Sequence, residues 1–455
     1  MMPLWTSAEI AAATHGTASG AFDISGVAYD SREVGPGDLF VALKGETTDG
    51  HNFVPQALAQ GAAGMLVSDA IDGPHIRVAD TTAALDALGA AGRARSSAKI
   101  IGVTGSVGKT SVKEALFAAF DRAAPGTTHR SLKSYNNHVG VPLSLARMPR
   151  DAKYGVFEMG MNHAGELARL TRLVRPNIAL VTAVALAHGA FFADEAAIAD
   201  AKGEIFQGLA PRGTAIIPYD SPHRDRLIAA ARPYAAEIVT FGRNPAADIH
   251  AREGMATAQG TFVQARLRTA ELSFTVGPPG EHWVINALGV LAVIEAAGGD
   301  LAAAGLALAD LAGLPGRGRR IILRLKGGDA LLIDEAYNAN PASMRATLKV
   351  LGAEKAARRI AILGSMRELG PDEARLHAEL AQPIAEAGVG FALLVGSEME
   401  PLARALEGRI EFAHVADAAA ATRRAADLIV PGDAVLVKGS NSIGLSGLVT
   451  ALAEG

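Results

Sequence analysis

An α/β fold of three domains, two of them built on mostly parallel sheets, is predicted by three features of the sequence. The chain has 455 residues, more than one ordinary core holds and suited to about three domains at ~150 residues each. From Lys99 onward, apolar runs alternate with helical patterns: IIGV, YGVFEM, NIALVTAV and GTAIIP. That is the pattern of parallel strands covered on both faces. After the Gly/Pro/Arg stretch GLPGRGRR at 313–320, which favours a turn or linker, the alternation resumes through ALLID, RIAILG, FALLVG and DAVLVKG.

Residues 1–97 mix short strands (DLFVAL, GMLV) with Gly-rich turns and Ala-rich helices, without a long parallel-sheet pattern; they read as a small N-terminal α/β binding domain. Thr6 or Ser7 reads as an N-cap that opens a short helix, and no basic segment precedes an apolar core there, so no signal peptide is expected. Residues 98–314 read as a central phosphate-loop domain with a mostly parallel sheet, and residues 315–455 as a Rossmann-like domain. The longest apolar run, from Asn177, falls short of the ~20 residues of a membrane span and is interrupted by Thr182 and His188. The Ala-rich helices share no fixed period, so a repeat fold is not expected.

Composition narrows the function. Hydrophobic residues make up 49% and charged residues 20% of the chain, a globular balance. The net charge of −4 provides no basic field for nucleic acid, so an anionic substrate must be held by local cations. With no cysteine, disulfides and thiolate metal sites are excluded, which suits the cytosol.

The stretch GVTGSVGKTS, residues 102–111, departs from the usual G-x-x-x-x-G-K-[ST] spacing: Val103 stands where that pattern has glycine, and glycines occur at 102 and 105. Its context is nevertheless strand, loop, helix. Ile100, Ile101 and Val103 form a short apolar strand, and Val112, Ala115, Leu116, Ala119 and Phe120 recur at helical spacing. Backbone N–H groups at such a helix start, with the positive end of its dipole, cradle an anion. Lys109 can neutralise phosphate charge and the Thr110 hydroxyl can ligate Mg²⁺. The plainer alternative is a Gly-rich turn with a solvated lysine.

Three further polar residues fall where sheet folds place chemistry. Glu158 ends YGVFEMG, His188 follows NIALVTAV, and Lys202 lies in the helical pattern DEAAIADAKGEIF. Ligands gather at the carboxyl ends of parallel strands, so Glu158 and His188 could meet phosphates bound at the loop. Taken singly, each also reads as a cap partner, a core histidine or a solvated lysine.

Their order along the chain is more specific. TGSVGKTS, YNNHVGVPLSL, FEMGMNHAGEL, AH at 187–188, AKGEIF, INAL at 285, GRGRR and DEAYNANPASM occur as in the Mur ligase family, which the sequence resembles over nearly its whole length. YDSREVGPGDLFVALKGETTDGHNF near the start and VLVKGSNSIGL near the end extend the likeness. The family loop resembles T-G-x-x-G-K-T-S, which accounts for Gly105 and leaves Val103 as the strand residue before it. DEAYNANP and YNNHVGVP are similar to the member that adds D-alanyl-D-alanine to a UDP-N-acetylmuramoyl-tripeptide. The chain departs from the family pattern at His138, Gly189, Ser365 and Asn441.

The resemblance implies that ATP phosphorylates the tripeptide carboxylate and that the amine of D-alanyl-D-alanine attacks the acyl phosphate. Under it, Gly105, Ser106, Val107, Gly108, Lys109, Thr110 and Ser111 hold ATP phosphates. Thr110 and Glu158 hold one Mg²⁺, while His188 and Lys202, the latter carbamylated, serve a second; Lys109, His188 and Lys202 are the catalytic set. Asn286 is placed at the adenine, although on sequence alone it could equally cap a helix. Arg319 and Asp334 close the last domain onto phosphate and ribose; Ser31, Arg32, Lys44 and Gly45 take the uridine diphosphate end. Asn136, Asn137, Tyr337 and Asn338 contact the substrates. A cytoplasmic monomer without nucleic-acid or membrane partners is expected. A kinase or a folylpolyglutamate-type ligase would also explain residues 100–202, but not YDSREVGPGDLFVAL or YNANP; a non-enzymatic nucleotide-dependent switch would need no lysine or histidine at a second metal.

Overall fold

A computed structural model of the chain describes residues 2–45, 48–186, 190–257 and 259–454. Among them the chain forms an N-terminal, a central and a C-terminal α/β unit, arranged around three main sheets.

The N-terminal sheet runs Thr17–Ala18, His75–Arg77, Gly64–Val67, Asp38–Val41, Gly26–Ala28 across its five strands, and all but the first pairing are parallel. These strands hold two to four residues, too few for periodicity to reveal a parallel sheet from sequence. Thr6 caps the helix Ser7–Thr14 through a reciprocal capping box with Glu9. The unit does not close its core alone. Leu85 and Leu88, on the helix Thr81–Ala94, pack with Leu143 and Ala146 of the helix Gly140–Ala146, each large side chain contributing ~1.5–3 kcal/mol by leaving water. The two helices meet so closely that a β-carbon on Gly92 would lie 2.4 Å from the Leu145 carbonyl oxygen. The N-terminal unit is thereby packed directly against the central one.

The central sheet has nine strands, in the order Glu271–Val276, Gly260–Arg266, Ile249–Thr257, Glu237–Gly242, Thr214–Pro218, Ile178–Val181, Lys99–Thr104, Tyr154–Glu158, Thr128–Arg130. From Glu237–Gly242 to Thr128–Arg130 every pairing is parallel. The segment 249–276, not singled out in the sequence, adds two antiparallel pairings. Only the first three residues of Ile249–Thr257 are buried, so most of this hairpin carries no apolar run to mark it. Lys99–Thr104 lies between strands reached by crossovers to opposite sides, which puts its carboxyl end at the topological switch point where such sheets bind ligands.

The C-terminal sheet runs Arg319–Leu325, Gly328–Glu335, Asp433–Lys438, Arg358–Gly364, Phe391–Val395, Glu411–Val415, with only the first pairing antiparallel. The stretch 313–318 is irregular and tied down by Asp334. Its Oδ2 accepts from Gly316 N–H (2.7 Å) and its backbone oxygen from Gly318 N–H (2.9 Å).

Candidate active site

The carboxyl ends of the central strands and of the C-terminal strands Gly328–Glu335 and Asp433–Lys438 face one another across a cavity of about 580 Å³. One wall is the loop 106–111. It leaves the strand Lys99–Thr104 through Gly105, where a β-carbon would lie 1.9 Å from Thr182 Oγ1, so only glycine allows the loop to pass under the neighbouring strand end. Thr182 Oγ1 donates to the Val107 carbonyl (2.6 Å), and Ser106 N–H donates to the Ala183 carbonyl (2.8 Å). Gly108, at φ 84°, starts the helix Lys109–Ala123, and no side chain among the described residues caps that end. Its first-turn N–H groups therefore stay available to an anion, with the helix dipole adding attraction.

Lys109 Nζ donates to the Gly105 carbonyl at 2.7 Å, folding the side chain back over its own loop. Burial holds this ammonium below the ordinary lysine range, with Glu158 opposing the shift and Arg317 adding to it. Thr110 Oγ1 donates to Glu158 Oε2 (2.8 Å) and Asn136 Nδ2 to Glu158 Oε1 (2.7 Å). Glu158 is 1% exposed, and Lys113 Nζ stands 3.9 Å from its Oε2. A buried carboxylate and a hydroxyl beside an anion cradle form an oxygen donor set that fits a hard divalent cation.

Lys202 is buried on the helix Glu195–Gly203. Among the described residues it has no carboxylate partner. Burial first, then repulsion from Lys109, pushes its amine well below the ordinary lysine value. His188 and Gly189 lie outside the described residues.

The opposite wall comes from the C-terminal unit. The Arg317 guanidinium lies 4.3 Å from the Tyr337 ring centroid, a cation–π contact, and donates to Ser134 Oγ at 3.3 Å. Lys438 Nζ donates to the Asn338 carbonyl (2.9 Å) and stands 3.5 Å from Glu335 Oε2. Burial pushes the Glu335 carboxyl up and the Lys438 ammonium down, each partly offset by the other. His282, near the start of the helix Glu281–Ala296, is pushed down to about 4 by burial and by Lys438, and is neutral at pH 7. Asn286 lies inside that helix rather than at its cap, against the loop: a β-carbon on Gly108 would lie 2.9 Å from its Oδ1.

The cavity thus gathers Ser106 to Ser111, Asn136, Glu158, Asn286, Tyr337 and Asn338 from the sequence-predicted set. Asn137 lies beside it, and its Oδ1 accepts from Gly140 N–H at 2.9 Å where the following helix begins. Arg319 and Asp334 do not line it. Arg319 is exposed at the start of its strand, and Asp334 is buried behind the wall, where it holds the linker. Arg317 and Glu335 occupy the cavity face instead. Ser31, Arg32, Lys44 and Gly45 stand apart on the N-terminal unit. Ser31 Oγ donates to Gln56 Oε1 (3.0 Å), Arg32 pairs with Asp30 (2.6 Å), Lys44 lies 3.4 Å from Asp69, and Gly45 N–H meets the Thr48 carbonyl (2.9 Å). Of the other departures, His138 and Asn441 are exposed, while Ser365 is buried with its hydroxyl unpartnered among the described residues. The sequence reading missed Arg317, Glu335, Lys438 and His282. For Arg317 and Glu335 the signal was present in GRGRR and DEAYNANP; for Lys438 it was a lysine at a strand's carboxyl end.

Three family descriptions match the chain: the Mur ligase family catalytic domain at 23–119, the Mur ligase middle domain at 103–294, and the Mur ligase glutamate ligase domain at 318–441. The UDP-N-acetylmuramoyl-tripeptide--D-alanyl-D-alanine ligase of Escherichia coli (strain K12) is 37% identical over 95% of this chain and 94% of its own length. Its namesake from Rickettsia prowazekii (strain Madrid E) is 31% identical over 98% and 99%. A crystal structure of MurF from Acinetobacter baumannii superposes with a TM-score of 0.86 at 32% identity, covering 99% of each chain.

Proposed function

Because this chain belongs to the Mur ligase family, we propose that it is an ATP-dependent amide ligase that joins D-alanyl-D-alanine to UDP-N-acetylmuramoyl-tripeptide in peptidoglycan precursor synthesis. The observation that carries the reading is the uncapped helix start at Gly108, with Lys109 and the Thr110–Glu158 pair beside it, facing a wall that presents Arg317, Glu335 and Lys438.

A free carboxylate does not acylate an amine at neutral pH, so it must first acquire a leaving group. An oxygen of the tripeptide's terminal carboxylate attacks the γ-phosphorus of ATP, the bond to the bridging oxygen breaks, and ADP departs. The dipeptide's amine then attacks the acyl carbon, loses its proton, and phosphate leaves as the amide forms. Charge gathers on the transferring phosphoryl group and then on the tetrahedral intermediate, so fixed cations and N–H donors are the largest expected catalytic term. Lys109 and the helix start supply them from the central wall, and Arg317 from the facing wall.

On this reading Asn286 meets the adenine, and Arg317 and Glu335 take the nucleotide contacts expected of Arg319 and Asp334. Asn136, Asn137, Tyr337 and Asn338 meet the two acceptors. Ser31, Arg32, Lys44 and Gly45 hold the uridine diphosphate end. Thr110 and Glu158 would hold one Mg²⁺, and His188 with a carbamylated Lys202 a second; bound there, the cations would neutralise phosphoryl charge. A buried lysine with a depressed pKa and no carboxylate partner among the described residues suits carbamylation, which requires the neutral amine. Lys202→Ala should be nearly inactive, with partial rescue by a short carboxylic acid; unchanged activity would remove Lys202 from the mechanism. The proposed domain limits are 1–97, 98–314 and 315–455. No helix among the described residues is long and apolar enough to cross a membrane. The nucleotide-linked precursor is the ground for proposing a cytoplasmic ligase.

The test is phosphate release from ATP with each acceptor present alone and with both. Release that requires both acceptors, with an amide product, supports the reading. Release with neither, or with a folate and glutamate, would refute it.

A further inference from the structure

The segment 131–136 touches all three units within six residues. Toward the N-terminal unit, Glu33 Oε1 accepts from Tyr135 Oη at 2.7 Å and from Lys133 Nζ, and the Tyr29 and Tyr135 rings lie 5.6 Å apart. Toward the phosphate helix, the Lys133 carbonyl accepts from the buried Lys113 Nζ at 2.5 Å. Toward the strand end that carries Glu158, Ser131 Oγ accepts from Glu158 N–H (3.3 Å), and Asn136 donates to the Glu158 carboxylate (2.7 Å). Toward the C-terminal unit, Ser134 Oγ accepts from Arg317 (3.3 Å). Lys133 holds a left-handed backbone at φ 49°, a costly state for a residue with a β-carbon that persists only where its surroundings enforce it.

Glu33 ends the short helical turn Ser31–Glu33, next to Ser31 and Arg32. We propose that Glu33 is a positioning residue that makes assembly of the phosphate site depend on occupancy of the N-terminal unit, acting through Lys133 and Tyr135 on the hold of Asn136 over Glu158. This rests on the reading above that the 31–32 turn takes the precursor's uridine diphosphate end. A molecule seated on that turn fixes the direction of the Glu33 carboxylate. The carboxylate fixes Tyr135, and the next residue, Asn136, occupies one oxygen of the carboxylate whose other oxygen meets Thr110. The chain of contacts is short: hydrogen bonds join Glu33 to Tyr135 and Asn136 to Glu158, and the peptide bond between Tyr135 and Asn136 connects them.

An ion pair as exposed as Glu33–Lys133 would, as a merely structural feature, contribute little to stability and nothing to linkage between substrates. The discriminating quantity is therefore the factor by which UDP-N-acetylmuramoyl-tripeptide tightens binding of a non-hydrolysable ATP analogue, measured by calorimetry on the full chain. In the unaltered protein that factor should be at least about fivefold, as typical couplings are. In Glu33→Gln it should fall below about twofold, while the analogue's affinity without precursor changes by less than about twofold. Tyr135→Phe, which keeps the ring and loses the donor, should also reduce the factor and decides the matter if Glu33→Gln does not fold. Coupling of unaltered size in a folded Glu33→Gln or Tyr135→Phe variant, or no coupling in an unaltered protein that binds both molecules, would overturn the relay and leave the ligase reading standing. Failure of the unaltered protein to bind the precursor at all would instead bring down the ligase reading, and the relay with it.

Discussion

The two walls of the cavity are built by different means. The central wall is one short stretch of chain: Gly105 to Ser111 follows directly from its strand, and the contacts that shape it come from the next strand end, at Thr182 and Ala183. The C-terminal wall collects single side chains from separate places: Arg317 from an irregular linker, Glu335 and Lys438 from two strand ends, and Tyr337 from the turn that follows. A motif can record the first wall because backbone geometry and chemistry are consecutive there. In the second wall the chemistry depends on which face of a strand a residue occupies. Asp334 and Glu335 illustrate this, since successive strand side chains point to opposite faces. The one that meets the cavity is Glu335, and the one that anchors the linker is Asp334.

If the central wall carries the catalytic charge, Lys109→Ala should have the largest effect. A loss in kcat of on the order of a hundredfold or more is expected, at least ~3 kcal/mol of barrier, with the fold intact. Near-normal turnover at saturating ATP would reduce the loop to a binding element.

The second wall is tested by a pair of arginines. Arg317→Ala should lower kcat/KM by roughly ten- to a hundredfold, as the loss of one charge-stabilising donor does, whereas Arg319→Ala should change it less than about twofold, as exposed substitutions do. Equal effects, or a larger one at 319, would reverse the assignment.

A smaller effect separates the two acidic neighbours. Asp334→Ala leaves the Gly316 N–H without its acceptor and should cost about 1–3 kcal/mol in urea unfolding, while Glu335→Gln should affect nucleotide affinity more than stability. The smallest effect concerns His282. Its folded pKa of about 4 lies below its ordinary 6.5, so between these values the unfolded chain binds a proton that the folded chain does not. Stability is therefore lost as pH falls from about 6.5 through 4. His282→Gln should flatten that part of the curve, and Lys438→Met should move the His282 titration upward by NMR. An unmoved titration would separate the two groups and divide the wall.

Much of the fold was legible because long apolar runs alternate with helical periodicity from Lys99 onward. The buried positions Val112, Ala115, Leu116, Ala119 and Phe120 lie on one helix, as their spacing indicates. The N-terminal sheet was not legible because its strands are too short for any period, and the hairpin within 249–276 was not because its residues are largely exposed. Of the site, Lys109, Thr110 and Glu158 could be read from motif and strand end together. Lys438 left only the weak mark of a lysine at a strand's carboxyl end, and His282 left none, since it comes near Lys438 only when two sheets face one another. The Glu33 link joins residues about a hundred positions apart, and no local pattern encodes it.

The most direct test of the account is an isotope transfer. UDP-N-acetylmuramoyl-tripeptide labelled with ¹⁸O in its terminal carboxylate is incubated with ATP, D-alanyl-D-alanine and the protein, and the released phosphate is examined by mass spectrometry. If the carboxylate is activated as an acyl phosphate in this cavity, each amide bond formed sends one labelled oxygen into phosphate. Amide formation with unlabelled phosphate would contradict that chemistry.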